Sequence, residues 1–140
     1  MSYKLTITQK PTYMHAIVTG LNTRENVERY LEEIRRESTA RGCFRLLIEE
    51  RLEGPRLGIM DVFQIAEEAS RRARGYFKAI AYVDRNAQDD LMNFAETVAA
   101  NRSMPIAVFS SVSDAEDWLL GIDRKGPQQG APADAEKPRG

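Results

Sequence analysis

The feature that most constrains this chain is a switch in hydrophobic period along its length. Apolar residues first recur at every second position; beyond residue 22, short apolar stretches alternate with stretches whose apolar residues recur every three or four. Period two marks a strand half buried on a sheet, and a spacing near 3.6 marks a helix laid on a core. Tyr3-Lys4-Leu5-Thr6-Ile7-Thr8 alternates, Gln9-Lys10-Pro11 interrupts, and Tyr13 to Val18 forms a second strand. So short a gap predicts an antiparallel hairpin.

Asn22-Thr23-Arg24-Glu25 has the form of a capping box, with the Asn22 oxygen on an early backbone N–H and Glu25 reaching back. Val27, Tyr30, Leu31 and Ile34 follow at helical spacing, and Gly42 is the stop. Phe44 to Glu49 reads as a third strand and Arg51 to Gly58 as a loop. Ile59, Val62, Phe63, Ala66, Ala69 and Ala73 mark a second helix, with Arg71, Arg72 and Arg74 in its last turn and Gly75 closing it. Phe77 to Val83 is a fourth strand and Asp84-Arg85-Asn86 a turn. Leu91, Phe94, Ala95, Val98 and Ala99 give a third helix, and Pro105 to Phe109 a fifth strand. Ser113-Asp114-Ala115-Glu116 is a second capping box, opening a short helix through Trp118, Leu119 and Leu120.

Strands that alternate with helices pair in parallel through right-handed crossovers. Strands covered on both faces read as unbroken apolar runs. Here Phe44, Leu46 and Ile48 stand against Arg45, Leu47 and Glu49, and Phe77, Ala79, Ala81 and Val83 against Lys78, Ile80 and Tyr82. One apolar and one mixed face predict an α/β fold with a singly wound, mixed five-stranded sheet. Its first strand is antiparallel, the rest are parallel, and four helices lie mainly (by this reading all) on one face. The mixed face, with Leu47, Ile80 and Tyr82, makes a homodimer plausible.

Composition removes several functions. Lys and Arg total 20 against 21 Asp and Glu, a net charge of -1, so no basic face argues for nucleic acid. One cysteine excludes an internal disulfide framework and a cysteine-rich zinc site, and one histidine excludes most His-based metal sites. Ala79 to Val83, the longest apolar run, is far short of the ~20 residues that span a bilayer. MSYKLTITQK lacks the apolar stretch of a secretory signal, so a cytoplasmic protein is expected. Residues 124–140 hold three prolines, three glycines and no Val, Ile, Leu or aromatic. Burial there cannot offset the entropy of ordering, which predicts one domain over 1–123 and a disordered tail over 124–140.

An ordered set of stretches carries a family resemblance: Phe44-Arg-Leu-Leu-Ile-Glu, Gly58-Ile-Met-Asp-Val-Phe, Phe77-Lys-Ala-Ile-Ala-Tyr-Val-Asp, Pro105-Ile-Ala-Val-Phe-Ser and Ser113-Asp-Ala-Glu-Asp-Trp-Leu. Over roughly residues 3–122 the chain resembles the STAS-like family (sulfate transporter and anti-sigma factor antagonist), in its SpoIIAA-like bacterial branch. The resemblance implies a non-enzymatic regulatory domain that binds a protein partner, a regulatory kinase or an anti-sigma-like protein being the family's kind. The fold is shared with CRAL-TRIO lipid-binding domains, so the alternative implied is a small carrier of a lipid-like or other apolar ligand. That alternative predicts an apolar cavity of about 300 Å³ or more between sheet and helices. In anti-sigma factor antagonists a serine at the start of the second helix is phosphorylated. This chain has Gly58-Ile59-Met60-Asp61 there and no Ser or Thr between Arg51 and Ser70, so the switch residue does not carry over. Asp61 reads either as a constitutive mimic of the phosphorylated state or as the acid that helix starts commonly hold.

The candidate partner surface is the segment 51–63, with Arg51, Arg56, Gly58, Met60, Asp61 and Phe63 as contact residues. Its free backbone N–H groups with Arg51 and Arg56 also suit an anion. Glu49, Glu50 and Asp84, at the carboxyl ends of adjacent strands, could hold Mg²⁺ but read more simply as solvated carboxylates. His15 lies inside a strand with no Ser or Cys nucleophile near it in sequence, which predicts a structural hydrogen bond rather than a general base. Cys43 reads as a small buried residue, and Met60, Phe63, Met92, Phe94 and Trp118 as core, or as pocket lining if the helices splay from the sheet. No catalytic residue, cofactor or metal site is assigned.

Overall fold

A computed structural model describes residues 3–55, 57–73, 75–84, 90–102 and 104–125. Five strands and four helices follow in the order β1 (Tyr3–Gln9), β2 (Met14–Leu21), α1 (Arg24–Arg41), β3 (Arg45–Glu53), α2 (Ile59–Arg72), β4 (Ala79–Val83), α3 (Asp90–Asn101), β5 (Ile106–Phe109) and α4 (Val112–Lys125). The strands form one sheet in chain order, β1-β2-β3-β4-β5. β1 pairs antiparallel with β2, and every later pair is parallel.

The helix ends show which residues do the capping. Thr23, not Asn22, is the N-cap of α1: its hydroxyl accepts the Asn26 N–H at 3.1 Å. Asn22 instead donates its side-chain amide to the Pro55 carbonyl at 3.3 Å, tying the two ends of the β2–α1 and β3–α2 connections together. Gly42 closes α1 at φ 65°, a left-handed conformation costly for any residue with a Cβ. α4 starts two residues earlier than its expected capping box: the Ser111 hydroxyl accepts the Asp114 N–H at 3.2 Å. It also runs on through Lys125, two residues beyond Asp123; residues 126–140 lie outside the described residues. β3 continues through Glu53, so Arg51 stands in a strand, not a loop, because Thr19, Gly20 and Leu21 of β2 supply partners for Arg51, Leu52 and Glu53.

Pleating separates two cores. Met14, Ala16 and Val18 of β2, Leu46 and Ile48 of β3 and Ile80 of β4 pack beneath α1, α2 and α3, with Val27, Tyr30, Ile34, Ile65 and Ala99 from the helices. Leu47, Ala79, Ala81 and Val83 point the opposite way, where Ala115 and Leu119 of α4 bury them with Phe109, Val112 and Trp118 packed at the edge. Three helices therefore cover one face and α4 the other, which corrects the placement of every helix on one side. The parallel register pairs Leu46 with Ile80 and Leu47 with Ala81, so the alanines of β4 belong to the Leu47 face rather than the Leu46 face. The expected dimer face falls with this: Leu47 and Ile80 look in opposite directions and are 0% and 4% exposed. Among the described residues no helix is long and apolar enough to cross a membrane.

α4 offers a direct test of this second core. Leu119 is buried at 1% exposure and its neighbour Leu120 is 42% exposed. Leu119→Ala is expected to destabilise the protein by about 2–5 kcal/mol in urea unfolding, against under about 1 kcal/mol for Leu120→Ala. Equal costs would place α4 off the sheet.

Candidate functional site

The pleat also divides the carboxylates at the carboxyl ends of the strands. Glu49 shares the α4 face with His15, whose Nε2 lies 3.1 Å from Glu49 Oε1, and Arg51 holds the other oxygen of Glu49 at 2.6 Å. His15 thus makes the structural contact its strand position predicts. On the same face the Tyr13 hydroxyl donates to Glu116. Glu50 turns to the other face, into the three-helix core. Consecutive residues of a strand cannot share a face, so Glu49 stands apart from Glu50 and Asp84, and among the described residues no cluster of three or more His, Cys, Asp or Glu side chains is placed to hold a metal ion.

Glu50 sits in a polar knot inside apolar surroundings. Tyr82 donates its hydroxyl to Glu50 Oε2 at 2.6 Å, Tyr30 donates to the same oxygen, and the two phenol oxygens are 3.1 Å apart. Asp84, 8% exposed, lies beside the Glu50 carboxyl. Burial pushes the Glu50 carboxyl up, the neighbouring Asp84 pushes it further, and the two phenols oppose both; the result is about 7. Burial likewise raises Tyr30 and Tyr82 well above the ordinary phenol range, so both remain donors.

Glu50 and Tyr82 of this knot line a cavity of about 160 Å³ between the sheet and the three-helix layer. Ile48, Ile80 and Ile106 form part of its sheet side, and Ala66, Ala69, Ala95 and Ala99 part of its helix side. Polar groups are few: Glu50, Tyr82, Asn22, Ser70 and Glu96, the last already accepting the Val108 N–H at 2.8 Å. The space follows from how α2 is carried. α2 packs closely on α1 and α3, whereas α1, α3 and α4 pack on strands. Its small inward residues leave a gap where larger ones would close on the sheet. The volume is about half the ~300 Å³ expected of a pocket for a sizeable ligand.

The sequence-derived partner surface does not gather into one patch. Arg51 is on the α4 face. Asp61 is joined to Arg24 Nη1 of α1 at 3.0 Å, and Gln64 accepts from the same guanidinium. Its charge is therefore paired within the chain. Phe63 turns toward α3, with the Phe94 ring at 6.3 Å and the Arg102 guanidinium 5.5 Å above its own. Gly58 is the α2 N-cap at φ -71°, which any residue adopts, and it supplies no side-chain hydrogen bond. Met60, expected in the core, is 62% exposed beside Ile59 at 58%. Arg56, Arg85 and Asn86 lie outside the described residues. Cys43 is half-buried, its thiol donating to the Arg45 carbonyl at 3.3 Å. Trp118 packs at 5.6 Å on Phe109, while Ala115 and Leu119 carry the burial of α4. Residue spacing did not reveal the Glu50–Tyr30–Tyr82 knot. The available signal was an acid directly after Leu46-Leu47-Ile48-Glu49 at the parity of Leu46 and Ile48.

The Glu50 carboxyl makes stability depend on pH. Folded protein retains a proton that the unfolded chain gives up near pH 4.5, so the contribution is whole below that pH and is lost as pH rises through 7. Between about pH 5 and pH 8 the loss is expected to reach up to about 3 kcal/mol in urea unfolding, and Glu50→Gln is expected to show a smaller loss. Glu32, held at about 2 by Arg35, acts only at lower pH and does not enter this window. Identical pH slopes for the two proteins would place the buried charge elsewhere.

No model of a known protein family matches the chain, and neither does any curated protein. Among solved structures it is similar to the crystal structure of an uncharacterized protein of the DUF3478 family from Shewanella loihica PV-4, described as having a SpoIIAA-like fold. The two share 22% identity and a TM-score of 0.50, over 84% of this chain and 94% of that one. The mixed five-stranded sheet with its four helices is the SpoIIAA-like fold.

Proposed function

We propose that this protein is a non-enzymatic regulatory module of the bacterial cytoplasm that binds a protein partner through the first turn of α2. The observation that supports the reading most is the adjacent pair Ile59 and Met60, two of the four large apolar side chains most exposed among the described residues. They stand at a helix start with no side-chain cap, so unpaired backbone N–H groups lie beside an apolar step. Anti-sigma factor antagonists use this region, and the fold is shared. Here the phosphorylated serine is missing and Asp61 is committed to Arg24, so contact through this turn is constitutive rather than phosphate-gated. The partner is of the kind those proteins engage, a regulatory kinase or an anti-sigma-like protein.

A second reading, a small-ligand carrier, is favoured by the apolar cavity beneath α2. Its volume suits a body the size of a benzene ring rather than a lipid chain.

Affinity capture from native lysate tests the first reading. Wild type and the Leu120→Asp control, on the distant α4, are expected to recover the same partner. Ile59→Asp and Met60→Asp are expected to lose it by at least about tenfold. Undiminished recovery by both α2 variants would overturn this surface.

A further inference from the structure

We propose that the cavity beneath α2 takes a neutral, single-ring aromatic alcohol whose hydroxyl pairs with Ser70. This rests on the ligand-carrier reading above and names the ligand class. Ser70 stands within α2, is 1% exposed and lines the cavity. A serine or threonine inside a helix commonly turns its hydroxyl back to the carbonyl four residues earlier. Ser38 of α1 does so, donating to the Ile34 carbonyl at 2.9 Å, and Thr97 of α3 donates to the Asn93 carbonyl at 2.9 Å. Ser70 does not. Among the described residues its hydroxyl makes no hydrogen bond, and its oxygen opens on the cavity instead of being sealed in protein. A buried hydroxyl without a partner bears its full desolvation cost. The group that relieves this cost has to come from the cavity.

The crossover sets Ser70 apart from the other polar lining. α2 leaves β3 at the carboxyl end of the sheet and returns to the amino end of β4, so Ser70, near its last turn, stands toward the amino ends of the strands. Asn22, Glu50 and Tyr82 stand toward the carboxyl ends, and Glu96 lies level with Val108, whose N–H it accepts. The lining beside the amino ends is Ile80, Ile106 and Met104. A buried water needs two to four polar partners, and the side chains of this end supply one. An alcohol on an apolar ring meets both demands. Its ring is driven in by burial against the hydrocarbon walls. Its hydroxyl, a donor and an acceptor at once like that of serine, pairs with Ser70 in either direction. At about 160 Å³ the space admits one ring. A carboxylate in the alcohol's place would give up its hydration for a single neutral hydroxyl, in a cavity that Glu50 also lines.

Calorimetric titration of the full chain with benzyl alcohol, toluene and benzoate at neutral pH tests this. Wild type is expected to bind benzyl alcohol and toluene saturably and benzoate not at all. Ser70→Ala, which keeps the helix, is expected to weaken benzyl alcohol by at least about fivefold, the loss of one buried hydrogen bond, and to leave toluene within about twofold. Ala69→Leu, which fills the cavity without touching Ser70, is expected to abolish binding of both. Benzyl alcohol and toluene responding alike to Ser70→Ala would overturn the hydroxyl pairing while leaving an apolar carrier intact. Benzoate bound as tightly as benzyl alcohol would overturn the neutral class. No saturable binding of either neutral ligand would overturn both the pairing and the carrier. Benzyl alcohol binding unchanged in Ala69→Leu would place the ligand outside the cavity and overturn the site; if that variant fails to fold, Ser70→Ala decides.

Discussion

The handedness of the parallel crossover is the constraint on which the rest depends. A strand, a helix and the next parallel strand connect almost always with a right-handed turn. When strands are laid down in strict chain order, each crossover helix must then fall on the same face. That is where α1, α2 and α3 lie, against Met14, Val18, Ile48 and Ile80. α4 joins no pair of strands, so the rule does not bind it. It folds back to cover Leu47, Ala81 and Val83, which water would otherwise reach.

Crowding three helices over one face has a structural consequence. α1 and α3 settle on the outer strands of the parallel set, and α2 is held between them. Its alanines would need to descend to reach Ile48 and Ile80, but its neighbours carry it. The cavity is the space that results, and Glu50 lines it because the pleat of β3 turns its side chain to the three-helix face. Ion pairs along the α1–α2 seam, Arg24 with Asp61 at 3.0 Å and Arg72 with Glu32 at 3.3 Å, hold α2 laterally without drawing it down. Such half-exposed pairs add little stability singly. Their role here is to fix the position of α2, and through it the Ile59–Met60 step.

Local order was legible wherever a residue's role depends on its near neighbours. The hairpin, the alternation of strands and helices and the stop at Gly42 follow from period and turn chemistry. The capping residues were misplaced by one or two positions at Asn22 and Ser113, because Thr23 and Ser111 are equally good caps and only backbone geometry selects between them. Met60 was misread because helical spacing alone does not say how far round a helix the core extends. The six contact residues chosen from 51–63 are close in sequence, yet a strand sends alternate side chains to opposite faces and a helix turns by about 100° per residue. Arg51, Asp61 and Phe63 accordingly point to three different neighbours.

By itself the sequence determined the class of fold: period two and period 3.6 in alternation leave few arrangements other than a mostly parallel sheet with crossover helices. Tertiary structure alone decided which face each strand residue serves, since parallel register sets Leu47 beside Ala81 and Leu46 beside Ile80 through pairings absent from any local pattern. It alone also brought Tyr30, Glu50, Tyr82 and Asp84 into one knot from three separate elements. The physical reason is range: hydrogen bonding of the backbone and apolar period act over a few residues, whereas burial of a carboxyl depends on what the whole fold places around it.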